Sequence, residues 1–280
     1  MIKIILPYLF YLAASLFSVI TWAEKDVIAP VHYAYSNYLG SGIYRTAGQN
    51  VTLINLPFSY EIGKTDKTTY GLRLPMSFGF VNFDLGDIPN LDFPSIVGTF
   101  TFTPGMEFSY QATQKLVIKT YLDYGFANNL TTNKSVNVHS AGVSSFYYFP
   151  IKKYDAIWVN HLYYASYNGN DTSDNYAAIE TGLDIGLPVN YQLLGYRYQP
   201  RVFVTSFWYF DEVNFIKPLV SSNSKSESGT VNLSNSFELG MTLKFEQIIG
   251  FSWAGIERLG LSYRYSKELS AFRLIFSFPI

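Results

Sequence analysis

The sequence predicts an all-β fold, a transmembrane antiparallel up-and-down β-barrel of about 12 strands, with 10 as the second choice. Three observations predict it. Alternation of apolar and polar residues runs in segments of 10–14 residues. Aromatic residues make up 18% of the chain (24 Tyr, 23 Phe and 4 Trp), while charged residues make up only 15%. After the N-terminal segment, no run of 18 consecutive apolar residues occurs, so a membrane crossing by helix is not available to the rest of the chain.

Residues 1–23 read as a cleaved secretory signal peptide. Lys3 supplies the positive start, Ile4 to Ile20 the apolar run, and Thr21 and Ala23 the small residues before a cleavage point at Glu24. The alternative, an uncleaved anchor, would need a longer run and a basic flank; Glu24-Lys25-Asp26 follows instead. Removing this segment leaves 19 basic and 21 acidic residues, a net charge of about −2. No basic excess marks a nucleic-acid binder. With no cysteine, a disulfide scaffold and a thiolate metal site are excluded.

Residues 24–50 are irregular and hold either a first strand around Val31 to Tyr38 or a segment entering the lumen. Residues 51–280 are assigned to the barrel. Its first strand sets Thr52, Ile54, Leu56, Phe58, Tyr60 and Ile62 against Val51, Leu53, Asn55, Ser59 and Glu61. The next sets Tyr70, Leu72, Leu74, Met76, Phe78 and Phe80 against Thr69, Gly71, Arg73, Ser77 and Gly79. A third opposes Phe100, Phe102, Met106, Phe108 and Tyr110 to Thr99, Thr101, Thr103, Gly105, Glu107 and Ser109. A fourth opposes Leu116, Ile118, Leu122, Tyr124 and Phe126 to Lys119, Asp123 and Gly125. Residues 138–149 and 155–166 are strand-like without a clear phase. Around 177–187, 231–246 and 256–266 the alternation returns, with Glu180 and Asp184, then Glu238 and Lys244, then Arg258 and Arg264 on the polar faces. Residues 189–209 are Tyr-rich and interrupted by Pro200, which predicts two strands or a bulge.

Length separates this pattern from a soluble sandwich. Soluble strands run about 5–6 residues, whereas a tilted strand crossing a bilayer needs about 9–11. The 257 residues after residue 23, shared among such strands and their connections, give about twelve, and bacterial barrels use even numbers. Polar stretches at 128–137, 168–175 and 210–229 read as extracellular loops. Breaks at 111–114, 150–154 and 267–269 read as periplasmic turns.

The C-terminal stretch from Arg258 to Ile280 ends in alternating Phe272, Leu274, Phe276, Phe278 and Ile280. It resembles the last hairpin of a Gram-negative outer-membrane barrel, with Ile280 where that class usually ends in Phe or Trp. Together with the long Tyr-rich strand before it and the chain length, the whole resembles the solitary autotransporter-type barrels. The resemblance implies an outer-membrane location. Its partners would be outer-membrane lipid and lipopolysaccharide, periplasmic chaperones and the barrel assembly machinery, which would read Phe272, Phe276, Phe278 and Ile280. It also implies a barrel without an attached passenger, since only about 27 residues separate Ala23 from Val51.

Thirteen charges fall on predicted lumen positions: Arg73, Glu107, Lys119, Asp123, Glu180, Asp184, Arg197, Arg201, Glu238, Lys244, Arg258, Arg264 and Arg273. Their mixed signs fit a cross-lumen network of ion pairs that fills a small barrel. A narrow pore with charge selectivity and a substrate or catalytic cluster are the other readings. A lipid hydrolase would need a Ser nucleophile and a His base in reach. Of His32, His139 and His161, only His161 has serine and asparagine nearby in sequence, and Ser166, five residues away on a strand, points to the opposite face. His161 is read as a membrane-boundary histidine among tyrosines. Asp171 and Asp174 are loop residues. The sequence leads to no catalytic residues, metal or cofactor. It leads to a structural or narrow, plugged barrel, with an outer-leaflet lipid- or peptide-acting enzyme and a loop-based adhesin or receptor as alternatives.

Overall fold

The structure, a computed structural model, describes residues 39–46, 49–81, 98–130, 133–169, 173–193, 195–218, 228–251, 254–267 and 269–279. The signal segment, the expected strand at 31–38 and Ile280 lie outside the described residues. The first described strand is β1 (Gly42–Thr46). It is followed by β2 (Gln49–Lys64), β3 (Thr68–Val81), β4 (Thr99–Phe102), β5 (Gly105–Gln111), β6 (Leu116–Asn129) and β7 (Lys134–Ile151). Then come β8 (Tyr154–Asn168), β9 (Ser173–Gly186), β10 (Tyr191–Leu193), β11 (Tyr196–Pro218), β12 (Ser228–Phe251), β13 (Ala254–Tyr265) and β14 (Leu269–Ile275).

These segments form one closed antiparallel barrel of twelve staves. Each strand pairs with its neighbours in sequence, and β14 pairs with β1 to close the ring. β4 and β5 are two halves of one stave between β3 and β6. They part at Thr103-Pro104, because proline cannot donate to the ladder. The partner strand crowds this break: a Cβ on Gly125 would lie 2.0 Å from the Phe102 carbonyl oxygen. β10 is a short extension beside the start of β11 and lies outside the ring, since β9 pairs directly with β11.

Alternation places side chains as the sequence demands. Leu122 is 66% exposed, and its neighbour Asp123 is 1% exposed. Apolar residues such as Met106, Leu239, Leu261 and Phe272 stand outward, while Arg201, Glu238, Thr242 and Arg264 are buried inside. The wall is therefore inverted relative to a soluble domain. The two segments of unclear phase resolve with even residues inward on β7 (Val136, Val138, Ser140) and odd residues inward on β8 (Ile157, Val159, Tyr163, Ala165).

Four expectations are corrected. Residues 189–209 do hold two strands, β10 and β11, but β11 begins at Tyr196 and runs through Pro200, which lies opposite Leu243; the N–H that proline lacks is replaced by Gln199 Nε2, which donates to Leu187 O at 3.1 Å, and the Pro200 carbonyl accepts from Leu187 N at 2.9 Å. β11 and β12 extend to Pro218 and Ser228, so much of 210–229 is strand rather than loop. Strand parity reverses the turn at 267–269. In an antiparallel ring, the strand ends flanking 65–67, 112–115, 152–153 and 252–253 share one rim (the turn rim). Those flanking 82–97, 170–172 and 219–227 share the other (the loop rim). The β13–β14 turn, held by Ser266 N to Leu269 O at 2.7 Å, lies on the loop rim. Finally, β14 ends at Ile275, so the terminal residues do not continue one outward face.

Candidate functional site

The lumen is the candidate site, and it is occupied by the protein's own side chains. Near the turn rim, Arg201 on β11 is fully buried. Its Nε donates to Asp184 Oδ2 on β9 at 2.9 Å, and Arg258 Nη1 on β13 donates to the same oxygen at 2.8 Å. Arg201 Nη1 also pairs with Asp155 at the start of β8, whose other oxygen accepts from Gln199 Nε2 at 2.7 Å. One carboxylate thus holds two guanidinium groups from different strands. Burying two guanidinium groups is costly, and Asp184, itself buried, with Asp155, 56% exposed, supplies the counter-charges that offset it.

The C-terminal tail covers this cluster. The Phe278 ring lies under the Arg258 guanidinium at 4.3 Å and against Phe146 at 5.3 Å. It joins an apolar group with Ile157, Val159 and Val117. Beyond Ile275 the chain turns into the mouth, where an exposed aromatic would otherwise face water. Phe272 remains outward and exposed, Phe276 is half-buried, and Ile280 is not described. The four terminal residues grouped from the sequence therefore do not share one face.

Toward the loop rim, Glu238 on β12 accepts from Arg273 on β14 and from Ser262 Oγ at 2.5 Å. Arg264 Nε donates to Ser236 Oγ at 2.9 Å, and its Nη2 donates to Tyr209. The same guanidinium lies 3.6 Å over the Phe207 ring, a cation–π contact strengthened by its full burial. Tyr44 donates to Leu39 O and Gly40 O beside Arg273. Gly40 has φ +78°, and a Cβ there would meet Arg273 Nη2 at 2.5 Å, so glycine is required.

One stave apart on the inner wall, Arg73 on β3 reaches Asp123 on β6 at 3.4 Å and stacks on Tyr121 at 3.9 Å. Tyr121 meets His161, His161 meets Tyr163, Tyr163 meets Tyr176, and Tyr176 meets Tyr209. An aromatic belt therefore runs from Arg73 on β3 to Arg264 on β13. His161 lies in this belt with Nδ1 3.6 Å from Glu180. It is a lumen residue, not a boundary histidine, and Ser166 faces away from it.

Of the thirteen predicted charges, Arg73, Asp123, Glu180, Asp184, Arg201, Glu238, Arg258, Arg264 and Arg273 enter these contacts. Glu107 is half-buried on the inward face of β5. Lys119 is exposed and reaches the Phe146 ring at 5.2 Å. Lys244 is exposed near the turn rim. Arg197 pairs with Glu246 at 3.9 Å, but it is 67% exposed. Sequence reasoning missed Asp155, Gln199 and the tyrosines of the belt. Asp155 and His161 stand two-residue steps from Ile157 and Val159, a spacing that becomes informative once the phase of β8 is known.

No protein-family model matches this chain, and none of the curated proteins matches it. Among solved structures, the fold is similar to the crystal structure of the β domain of the Bordetella autotransporter BrkA. The TM-score is 0.50 over 84% of this chain and 95% of that one, at 10% identity. The barrel is thus of the autotransporter β-domain type in fold.

Proposed function

We propose that this chain is an integral outer-membrane β-barrel with a structural role or the role of a narrow, plugged pore. The observation that carries the reading is the inverted wall. Leu122, Leu239 and Leu261 stand fully outward while Asp123, Glu238 and Arg264 are buried, an arrangement that only a lipid surround makes favourable. The autotransporter-type fold supports the same location. Occlusion is supported by the lumen itself. Five arginines (Arg73, Arg201, Arg258, Arg264, Arg273) face five carboxylates (Asp123, Asp155, Glu180, Asp184, Glu238). Phe278 lies in the turn-rim mouth.

Two measurements test this. In detergent gels the unheated protein should migrate faster than the boiled protein; migration independent of heating, with solubility in the absence of detergent, would sink the barrel reading. In planar bilayers it should give no large, steady conductance; an open channel of porin size would remove the plug. The enzyme alternative finds less support, because His161 lies inside the lumen beneath Tyr121 and Tyr163, away from the outer leaflet.

A further inference from the structure

Among the described residues, a polar row crosses the outward face of the barrel. Ser145 on β7, Asn160 on β8, Thr181 on β9 and Ser206 on β11 are directly opposite one another across four neighbouring strands. All four point outward. Asn160 Nδ2 donates to Ser145 Oγ at 3.4 Å, and Asn160 Oδ1 accepts from Thr181 Oγ1 at 2.7 Å and from Trp158 Nε1 at 3.2 Å. Ser206 extends the row with a covered hydroxyl that has no partner among the described residues. The outward neighbours on both sides are apolar or aromatic: Val143, Leu162 and Trp208 toward the loop rim, and Tyr147, Trp158 and Val204 toward the turn rim.

A polar row inside an apolar band is costly against acyl chains, which offer no hydrogen bonds. Asn160 retains a second N–H and Ser145 a hydroxyl hydrogen after these contacts, by donor count. The row is uncharged, and each member carries a group that can both donate and accept. It is therefore self-complementary, which is what an isologous two-fold contact requires.

We infer that this row is the contact between two copies of the barrel side by side in the membrane. The inference rests on the membrane reading above. Strands tilt by about 35–45°, so the row climbs diagonally around the wall. A two-fold axis along the membrane normal makes the rows of two copies cross rather than run alongside. The crossing point falls at the centre of the row, the Asn160–Thr181 pair. Small side chains there let the walls approach, and the amide of one copy meets the amide and hydroxyl of the other.

The absence of cysteine gives a direct test in membranes. Leu162→Cys lies one outward step from Asn160 and is 46% exposed; Leu261→Cys, on β13, is 65% exposed. Under mild oxidation Leu162→Cys should form a disulfide-linked dimer, and Leu261→Cys should not. Adding Asn160→Val should reduce the dimer yield at least about fivefold with the heat-modifiable migration intact; Thr181→Val serves as a second variant should Asn160→Val not assemble. Equal yields at both cysteines, no dimer at either, or a yield unchanged by Asn160→Val and Thr181→Val would overturn the contact. A normal heat shift alongside such a failure would leave the barrel reading standing, so the two are separable.

Discussion

The Phe278 ring stands edge-on to Phe146, with 5.3 Å between centroids and 82° between planes, inside the turn-rim mouth. A terminal aromatic that strand alternation would send outward is instead turned into the lumen. There it is held by an apolar neighbour on one side and the Arg258 guanidinium on the other. The tail thus packs at the same end of the barrel at which Asp184 gathers two arginines.

If the lumen is plugged as proposed, Phe278→Ala should open its turn-rim end. The variant should still show heat-modifiable migration, while single-channel recordings show conductance steps absent in the parent. Loss of an aromatic contact of this partly buried kind costs about 1–3 kcal/mol, so its urea midpoint in vesicles should fall. Recordings as silent as those of the parent would mean that the charged layers alone close the lumen.

Asp184→Asn should be among the most destabilising single changes. It strips the shared counter-charge from Arg201 and Arg258, both buried, and breaking a buried pair by removing one partner costs about 3–5 kcal/mol. Arg197→Ala at the exposed Arg197–Glu246 pair should cost less than about 1 kcal/mol. Equilibrium unfolding in lipid vesicles compares the two, and equal shifts would contradict the layered lumen.

Neighbouring positions on β6 should respond to opposite substitutions. Leu122→Arg places a cation on the outward face and should cost about 2–4 kcal/mol if it lies near the bilayer midplane. Asp123→Leu removes the buried counter-charge of Arg73 and should lower the folding yield too, although leucine is the residue the outward face carries one position earlier. Folding yield into vesicles, followed by the heat shift, reports both. Free tolerance of Leu122→Arg would argue that this face meets water.

Gly125→Ala should hinder assembly at the broken stave. The added Cβ meets the Phe102 carbonyl at 2.0 Å and Thr103 Cα at 2.6 Å, backbone atoms that cannot swing aside. A cost of about 1–3 kcal/mol is expected, read as a lowered unfolding midpoint; an unchanged midpoint would mean that the Pro104 break relaxes.

The sequence by itself determined the barrel class and the side to which most charges point, and it narrowed the strand number to twelve or ten; closure of the ring decided for twelve. The facing follows from a local period of two: once Leu122 is outward Asp123 must be inward, and once Leu72 is outward Arg73 must be inward, whatever the partners. Only the tertiary structure decided which charges meet. Asp184 and Arg258 are 74 residues apart, and strand pairing across the ring, not local pattern, brings them together. The same holds for the belt through His161, whose face was unreadable while β8 lacked a phase. It holds for the rim of the Ser266 turn, which depends on counting every strand before it. It holds for Phe278, because alternation applies only while the strand continues, and β14 ends at Ile275. Local chemistry fixes which way a side chain points along a strand. Closing the ring fixes what it finds there.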